Sequence, residues 1–219
     1  MIYTKLFTSS SFTVKRIENS PINSNCYLIL KESTDNCIIV DPSFGNYVAL
    51  EAKGIKIDYI ILTHEHFDHI GSVEYLRKKN NCKVISTIAC SDNISHPKKN
   101  LSIFYNQIGF SCASSDLHIS ENGFLLNWLD VGLRFYLTPG HSEGSLCFSV
   151  RNCLFTGDTI IKNRKTIVKL PGGSKEKLTE SLQMIFKMHS AEFIVFPGHG
   201  ETFKLSEVSI GLVSTAISL

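Results

Sequence analysis

Apolar residues along this chain come in short unbroken runs separated by clusters of small and polar residues. Cys26-Tyr27-Leu28-Ile29-Leu30 and Cys37-Ile38-Ile39-Val40 flank a polar break from Glu32 to Asn36, and the run 57–62 follows Gly54. Runs of this length, bounded by turn residues, are the mark of strands buried on both faces. Residues 2–7 and 12–17 read as two earlier strands joined by a Ser-rich turn, and Val48 to Lys53 as a helix stopped at Gly54. Beyond residue 69 the period changes. Ile70, Val73 and Leu76 recur every third residue, which predicts one helix of roughly ten residues. Its last turn carries Arg77, Lys78 and Lys79, suited to the negative end of the helix dipole, and Asn80-Asn81 ends it.

Lys83 to Ser86 reads as a short strand. Residues 87–127 hold Pro97, Gly109 and Gly123 without a clear period, and are expected to form short helices and loops over the sheet. Leu133 to Leu137, Leu146 to Val150 and Cys153 to Phe155 are strands again, the last two joined at Arg151-Asn152. Ser174 is a good N-cap for a helix whose apolar face is Leu178, Leu182, Ile185 and Phe186. Glu192 to Phe196 is a final strand, and the mildly apolar Val208 to Leu219 reads as a terminal helix or strand.

Composition narrows the class. Of 219 residues, 43% are hydrophobic and 19% charged, the balance of a globular core. One domain spanning 1–219 is the simplest division. A net charge of +2 argues against nucleic-acid or anionic-membrane partners. No apolar run reaches the ~18 residues of a membrane span, and the first twenty residues lack a signal core. Seven cysteines with no CxxC pair, several inside strand-like runs, favour a reduced, cytoplasmic compartment.

The chemistry lies where apolar runs end. Leu62-Thr63 leads to His64, Leu137-Thr138-Pro139-Gly140 to His141, Phe155-Thr156-Gly157 to Asp158, and Phe196-Pro197-Gly198 to His199. Loops at strand ends let a rigid sheet hold functional side chains. The densest stretch is Thr63-His64-Glu65-His66-Phe67-Asp68-His69. Imidazole and carboxylate together ligate zinc, iron or manganese. In an extended segment His64, His66 and Asp68 share one side. His69 breaks the alternation, and Glu65 and Phe67 point away. One loop would thus feed two adjacent metal ions. His96, His118 and His189 are isolated and receive no role.

With Thr138-Pro139-Gly140-His141-Ser142, Thr156-Gly157-Asp158 and Pro197-Gly198-His199-Gly200 in this order, the chain resembles the metallo-β-lactamase-fold hydrolase superfamily from about residue 22 to residue 202. The resemblance implies an α+β fold, a four-layered αββα sandwich. It implies that His64, His66 and His141 bind a first metal, that Asp68, His69 and His199 bind a second, and that Asp158 bridges them. Asp41 would support the first metal's ligands from behind. Asp158, Gly144-Ser145-Leu146 and Leu170-Pro171-Gly172-Gly173-Ser174 look like the glyoxalase II-like branch, the hydroxyacylglutathione hydrolases, in a short form. Twenty residues follow His199, too few for that branch's C-terminal helical domain.

The expected cofactors are two divalent ions, zinc first and iron or manganese as alternatives. The expected reaction is hydrolysis of a small-molecule thioester or related ester, a glutathione thioester leading, through a metal-bridging hydroxide that Asp68 and Asp158 orient. The rival enzyme is a mononuclear-iron persulfide dioxygenase of the same fold. A degenerate member serving as a binding or regulatory protein would show missing ligands, and none is missing. No substrate-binding residue is assigned. The basic stretch Lys162, Arg164, Lys165 reads as a solvated loop, with contact to an acidic substrate as the other reading.

Overall fold

A computed structural model describes residues 3–19, 23–44 and 54–211. The first sheet has seven strands in sequence order: β1 (Tyr3–Thr8), β2 (Phe12–Asn19), β3 (Ser24–Lys31), β4 (Asn36–Val40), β5 (Lys56–Ile61), β6 (Lys83–Thr87) and β7 (Leu117–Ile119). Pairing is antiparallel up to β4 and parallel from β4 to β7. The second sheet runs β13 (Phe203–Lys204), β12 (Ile194–Pro197), β11 (Cys153–Gly157), β10 (Leu146–Val150), β9 (Val131–Leu137), β8 (Leu125–Trp128). There only β11 and β12 are parallel.

Alternation along the strands builds the layers. On β4, Ile38 and Val40 face the second sheet, while Cys37 and Ile39 face the opposite way. The inner layer joins Phe12, Tyr27, Ile61 and Ile85 to Leu133, Phe135, Phe148, Phe155 and Phe196. Outside the first sheet lie α1 (Phe67–Ile70), α2 (Val73–Asn80) and α3 (Ile88–Asn93), which pack Ile70, Val73, Leu76 and Cys90 on Leu28, Ile39, Ile60 and Val84. A further short helix, α4 (Ser102–Asn106), follows in the same region. Outside the second sheet α5 (Lys175–Met188) presses Leu178, Leu182 and Ile185 onto Cys147, Leu154 and Val195. Ser174 caps it, its Oγ accepting from the Lys177 amide at 3.3 Å. The result is helix, sheet, sheet, helix, the expected αββα order.

Two expectations change. The helix expected after residue 69 begins at Phe67 and is broken in two at Gly71-Ser72. A Cβ on Gly71 would lie 2.7 Å from the Phe44 ring, and the Ser72 amide donates to Pro42 O at 2.8 Å. The 87–127 region contributes β7 and β8 as well as helices, so the first sheet extends past residue 90 and the second starts before 130. The Val48 to Lys53 helix lies outside the described residues, as does most of Val208 to Leu219. None of the described helices is long and apolar enough to cross a membrane.

Candidate metal centre

The four strand ends meet at one edge of the sandwich, stitched across the sheets. Ser24 and His199 form an isolated antiparallel bridge, the Asn25 amide donates to Gly198 O at 2.7 Å, and the Tyr27 hydroxyl donates to Pro197 O at 2.7 Å. The Leu146 amide donates to Thr63 O at 2.8 Å, which ties β10 to the histidine-rich loop.

Among the described residues, three groups of three potential ligands form there, the two expected triads and a third, Asp41 with His64 and His69, that overlaps both. Ligand atoms of His64, His66 and His141 lie within 4.8 Å of one another, and so do those of Asp68, His69 and His199. Asp158 lies between them. Its Oδ2 is 3.7 Å from His141 Nε2 and 3.6 Å from His199 Nε2, and its Oδ1 is 3.7 Å from His69 Nε2. The loop does not stay extended beyond His66. Asp68 and His69 project from the turn of α1, so helical rather than alternating geometry separates the triads.

The imidazoles are oriented from behind, which fixes the face each ring presents. His141 Nδ1 donates to Ile167 O at 2.8 Å, and His199 Nδ1 to Asn23 O at 3.0 Å. His69 Nδ1 donates to Asp41 Oδ2 at 3.1 Å. His64 Nδ1 reaches Thr63 Oγ1 at 3.1 Å, and Thr63 Oγ1 donates to Asp41 Oδ2 at 2.6 Å. In all four, Nε2 faces the centre. His66 is reversed: its Nδ1 meets His141 Nε2 at 3.0 Å. Asp41 Oδ1 also accepts from the Thr63 amide at 2.7 Å. Asp41 therefore reaches one ring of each triad, His69 directly and His64 through Thr63, a wider reach than support of the first triad alone.

The donor set fits metal ions. His64 Nε2, His69 Nε2 and Asp158 Oδ1 are buried with no hydrogen-bond partner among the described residues, as is the outward His66 Nε2. Buried polar atoms are rarely left so without cause. The 3.0 Å between His66 Nδ1 and His141 Nε2 approaches the ligand–ligand edge of about 3.3 Å that tetrahedral zinc imposes at its usual bond lengths.

Electrostatics divide the rings. Burial and four neighbouring imidazoles hold the His64 pKa far below its usual value. Burial and His141 lower His66 to about 3. Burial opposes charge on His69 too, but Asp68, Asp41 and Asp158 together raise it to about 10. His199 is raised despite burial, by its contact with Asp68. Asp68, though buried, is held below the carboxylate range by His69 and His199.

Every residue assigned to the centre from the sequence is brought together here, and the three isolated histidines are not. His189 packs against Tyr136 and Phe193, His118 meets Ser91, and His96 meets Ser95. One buried partner had no sequence signal beyond its alternate position. The Glu65 carboxylate accepts from Asn93 Nδ2 at 2.9 Å and Ser142 Oγ at 2.8 Å, which joins the His64-His66 loop to the His141 loop. Phe67 stacks on Tyr105 at 4.9 Å between centroids.

This two-sheet fold with a His/Asp centre at its edge defines a class. A model of the Metallo-beta-lactamase superfamily matches residues 19–199, and the chain belongs to that superfamily. It is 30% identical to the Probable metallo-hydrolase YqgX of Bacillus subtilis (strain 168), over 88% of this chain and 93% of that one. It is 29% identical to the Probable polyketide biosynthesis zinc-dependent hydrolase BaeB of Bacillus velezensis, over 80% of this chain and 72% of that one. Among solved structures, the BLEG-1 B3 metallo-beta-lactamase superposes with a TM-score of 0.81 at 26% identity, covering 89% of this chain and 95% of that one.

Proposed function

We propose that the protein is a dinuclear metal-dependent hydrolase of acyl thioesters or related esters. The observation that carries this reading is Asp158, whose carboxylate lies within 3.7 Å of ligand nitrogens from both triads. His64, His66 and His141 would hold one ion, Asp68, His69 and His199 the other, with Asp158 able to serve both. Zinc is the leading ion, as in the names of the polyketide relatives. Two such ions supply ionisation of water near neutral pH and polarisation of the acyl carbonyl.

The chain's own residues supply placement and charge. The rings of His64, His141 and His199, held through Nδ1, present Nε2 to the centre. The carboxylate oxygens of Asp68 and Asp158 accept hydrogen bonds and would orient the attacking water through its protons. No protein nucleophile is needed. All seven cysteines are buried and free, and burial pushes the Cys147 and Cys153 thiols up to about 12. Gly144-Ser145-Leu146 and the Leu170 to Ser174 turn support a glyoxalase II-like thioesterase, with a glutathione thioester first among substrates.

The test is a panel of acyl thioesters, S-lactoylglutathione included, given to the metal-loaded protein. Turnover is expected. His66→Ala should lose the ion of its triad and activity together. A variant lacking that ion but still turning over substrate would sink the reading.

A further inference from the structure

A small cavity of about 200 Å³ opens beside His199, the outermost ring of the second triad. Arg16, Asn25, Arg164 and Glu201 line it with His199. Its polar groups are mostly committed. Arg16 Nη1 donates to Gly200 O at 3.0 Å, and its two terminal nitrogens grip both Glu201 oxygens at 3.0 and 3.1 Å. Asn25 Nδ2 donates to Pro197 O at 2.9 Å and Gly200 O at 2.8 Å. His199 Nδ1 is held by Asn23 O. Arg164 alone brings an uncommitted charge: it makes no hydrogen bond or ion pair among the described residues. Its neighbour on the same loop, Lys162, is paired with Glu207, so of the three cations in the basic stretch one is tethered, Arg164 lines the cavity and Lys165 is not part of its lining.

We infer that this cavity is the subsite for a carboxylate carried on the substrate's leaving group, and that Arg164 receives it. The inference rests on the hydrolase reading above and names the substrate class more closely. The Arg16–Glu201 pair is internally neutralised, so Arg164 sets the sign of the cavity. The guanidinium fork matches a carboxylate in two parallel hydrogen bonds, which a lone ammonium does not. At ~30 Å³ of liquid volume per water, the cavity holds roughly seven water-sized groups. That is room for a short carboxylate-ended arm. His199 puts the cavity beside the second triad, where the leaving sulfur is taken to lie.

The test uses matched pairs. The S-acetyl thioesters of 3-mercaptopropionate and 6-mercaptohexanoate are compared with their carboxamides, which differ only in charge. Wild-type protein should favour at least one carboxylate by about tenfold in kcat/KM, as a charged, partly screened hydrogen-bonded pair implies. Arg164→Gln should bring the ratio near one, Arg164→Glu should invert it, and Lys162→Ala should leave it unchanged. Equal turnover of acid and amide by wild type, or a ratio that survives Arg164→Gln, overturns the subsite. Calorimetry with the non-hydrolysable S-methyl thioethers of the same thiols separates this from failure of the hydrolase reading. A carboxylate preference in binding that Arg164→Gln abolishes supports the subsite even if no thioester turns over. Equal binding of acid and amide overturns it.

Discussion

The Asp41 carboxylate accepts from the His69 ring at 3.1 Å, and the same oxygen accepts from the Thr63 hydroxyl that orients His64. One buried side chain therefore governs a ring in each triad. Asp41 adopts φ +51, a left-handed conformation that a non-glycine residue takes at a cost. In Asp41→Asn a neutral amide with one acceptor oxygen replaces a carboxylate that accepts from the Thr63 amide, the Thr63 hydroxyl and the His69 ring. At least one of these donors then loses its partner, and the orientation of His69 or of His64 behind Thr63 is lost with it. Metal affinity should fall by roughly 10–100-fold, as when other supporting carboxylates are lost. Competitive titration against a chelating dye measures it, and unchanged affinity would remove Asp41 from this role.

The charge on His69 has a consequence for metal uptake. With its pKa raised to about 10, the metal-free protein carries an imidazolium there at neutral pH. The proton on Nε2 must leave before an ion can take that position. Affinity at the second triad should thus rise with pH from 7 towards 10, and binding at pH 7 should release a proton. Calorimetry in two buffers of different ionisation enthalpy reads the proton count. Uptake with no proton released would contradict the charged state of His69.

Gly198 marks how tightly backbone crowds the centre. A Cβ built there would collide with Asp158 Oδ1 and lie 2.8 Å from His69 Cε1. Gly198→Ala should displace both side chains, so the protein should lose bound metal while keeping its circular-dichroism spectrum. Full metal content in this variant would show that Asp158 is free to move.

The strands that deliver Asp158 and His199 are held by an aromatic stack. Phe155 lies 4.6 Å from Phe148 and 4.8 Å from Phe196 between centroids, with Tyr27 edge-on at 5.5 Å. Phe155→Ala leaves a cavity between the sheets and should cost about 3–5 kcal/mol. A urea titration of the metal-free protein would show it as a lower midpoint. A loss under 1 kcal/mol, roughly one methylene's worth, would mean the sheets close over the gap.

Sequence pattern carried the strands built on unbroken apolar runs, because the runs in β3, β4, β5, β10 and β11 are largely buried on both faces and need no alternation to be seen. It missed β7 and β8, where Leu117, His118, Leu125 and Asn127 are exposed and where pairing is decided by other strands. The break between α1 and α2 was hidden for a related reason. Phe44 and Pro42, which impose it, come from another segment of the chain. The centre was legible because each ligand follows a strand end at a small-residue turn. Glu65 and the reach of Asp41 were not, since both depend on partners tens of residues away, Asn93 and Ser142 in one case and His69 in the other.

The central claim is that two ions share Asp158. Zinc titration of the metal-free protein, with bound metal counted per chain, tests it most directly. The expected result is two equivalents in wild type, one in His66→Ala and one in His199→Ala. A single equivalent in wild type, unchanged by His199→Ala, would contradict the dinuclear centre.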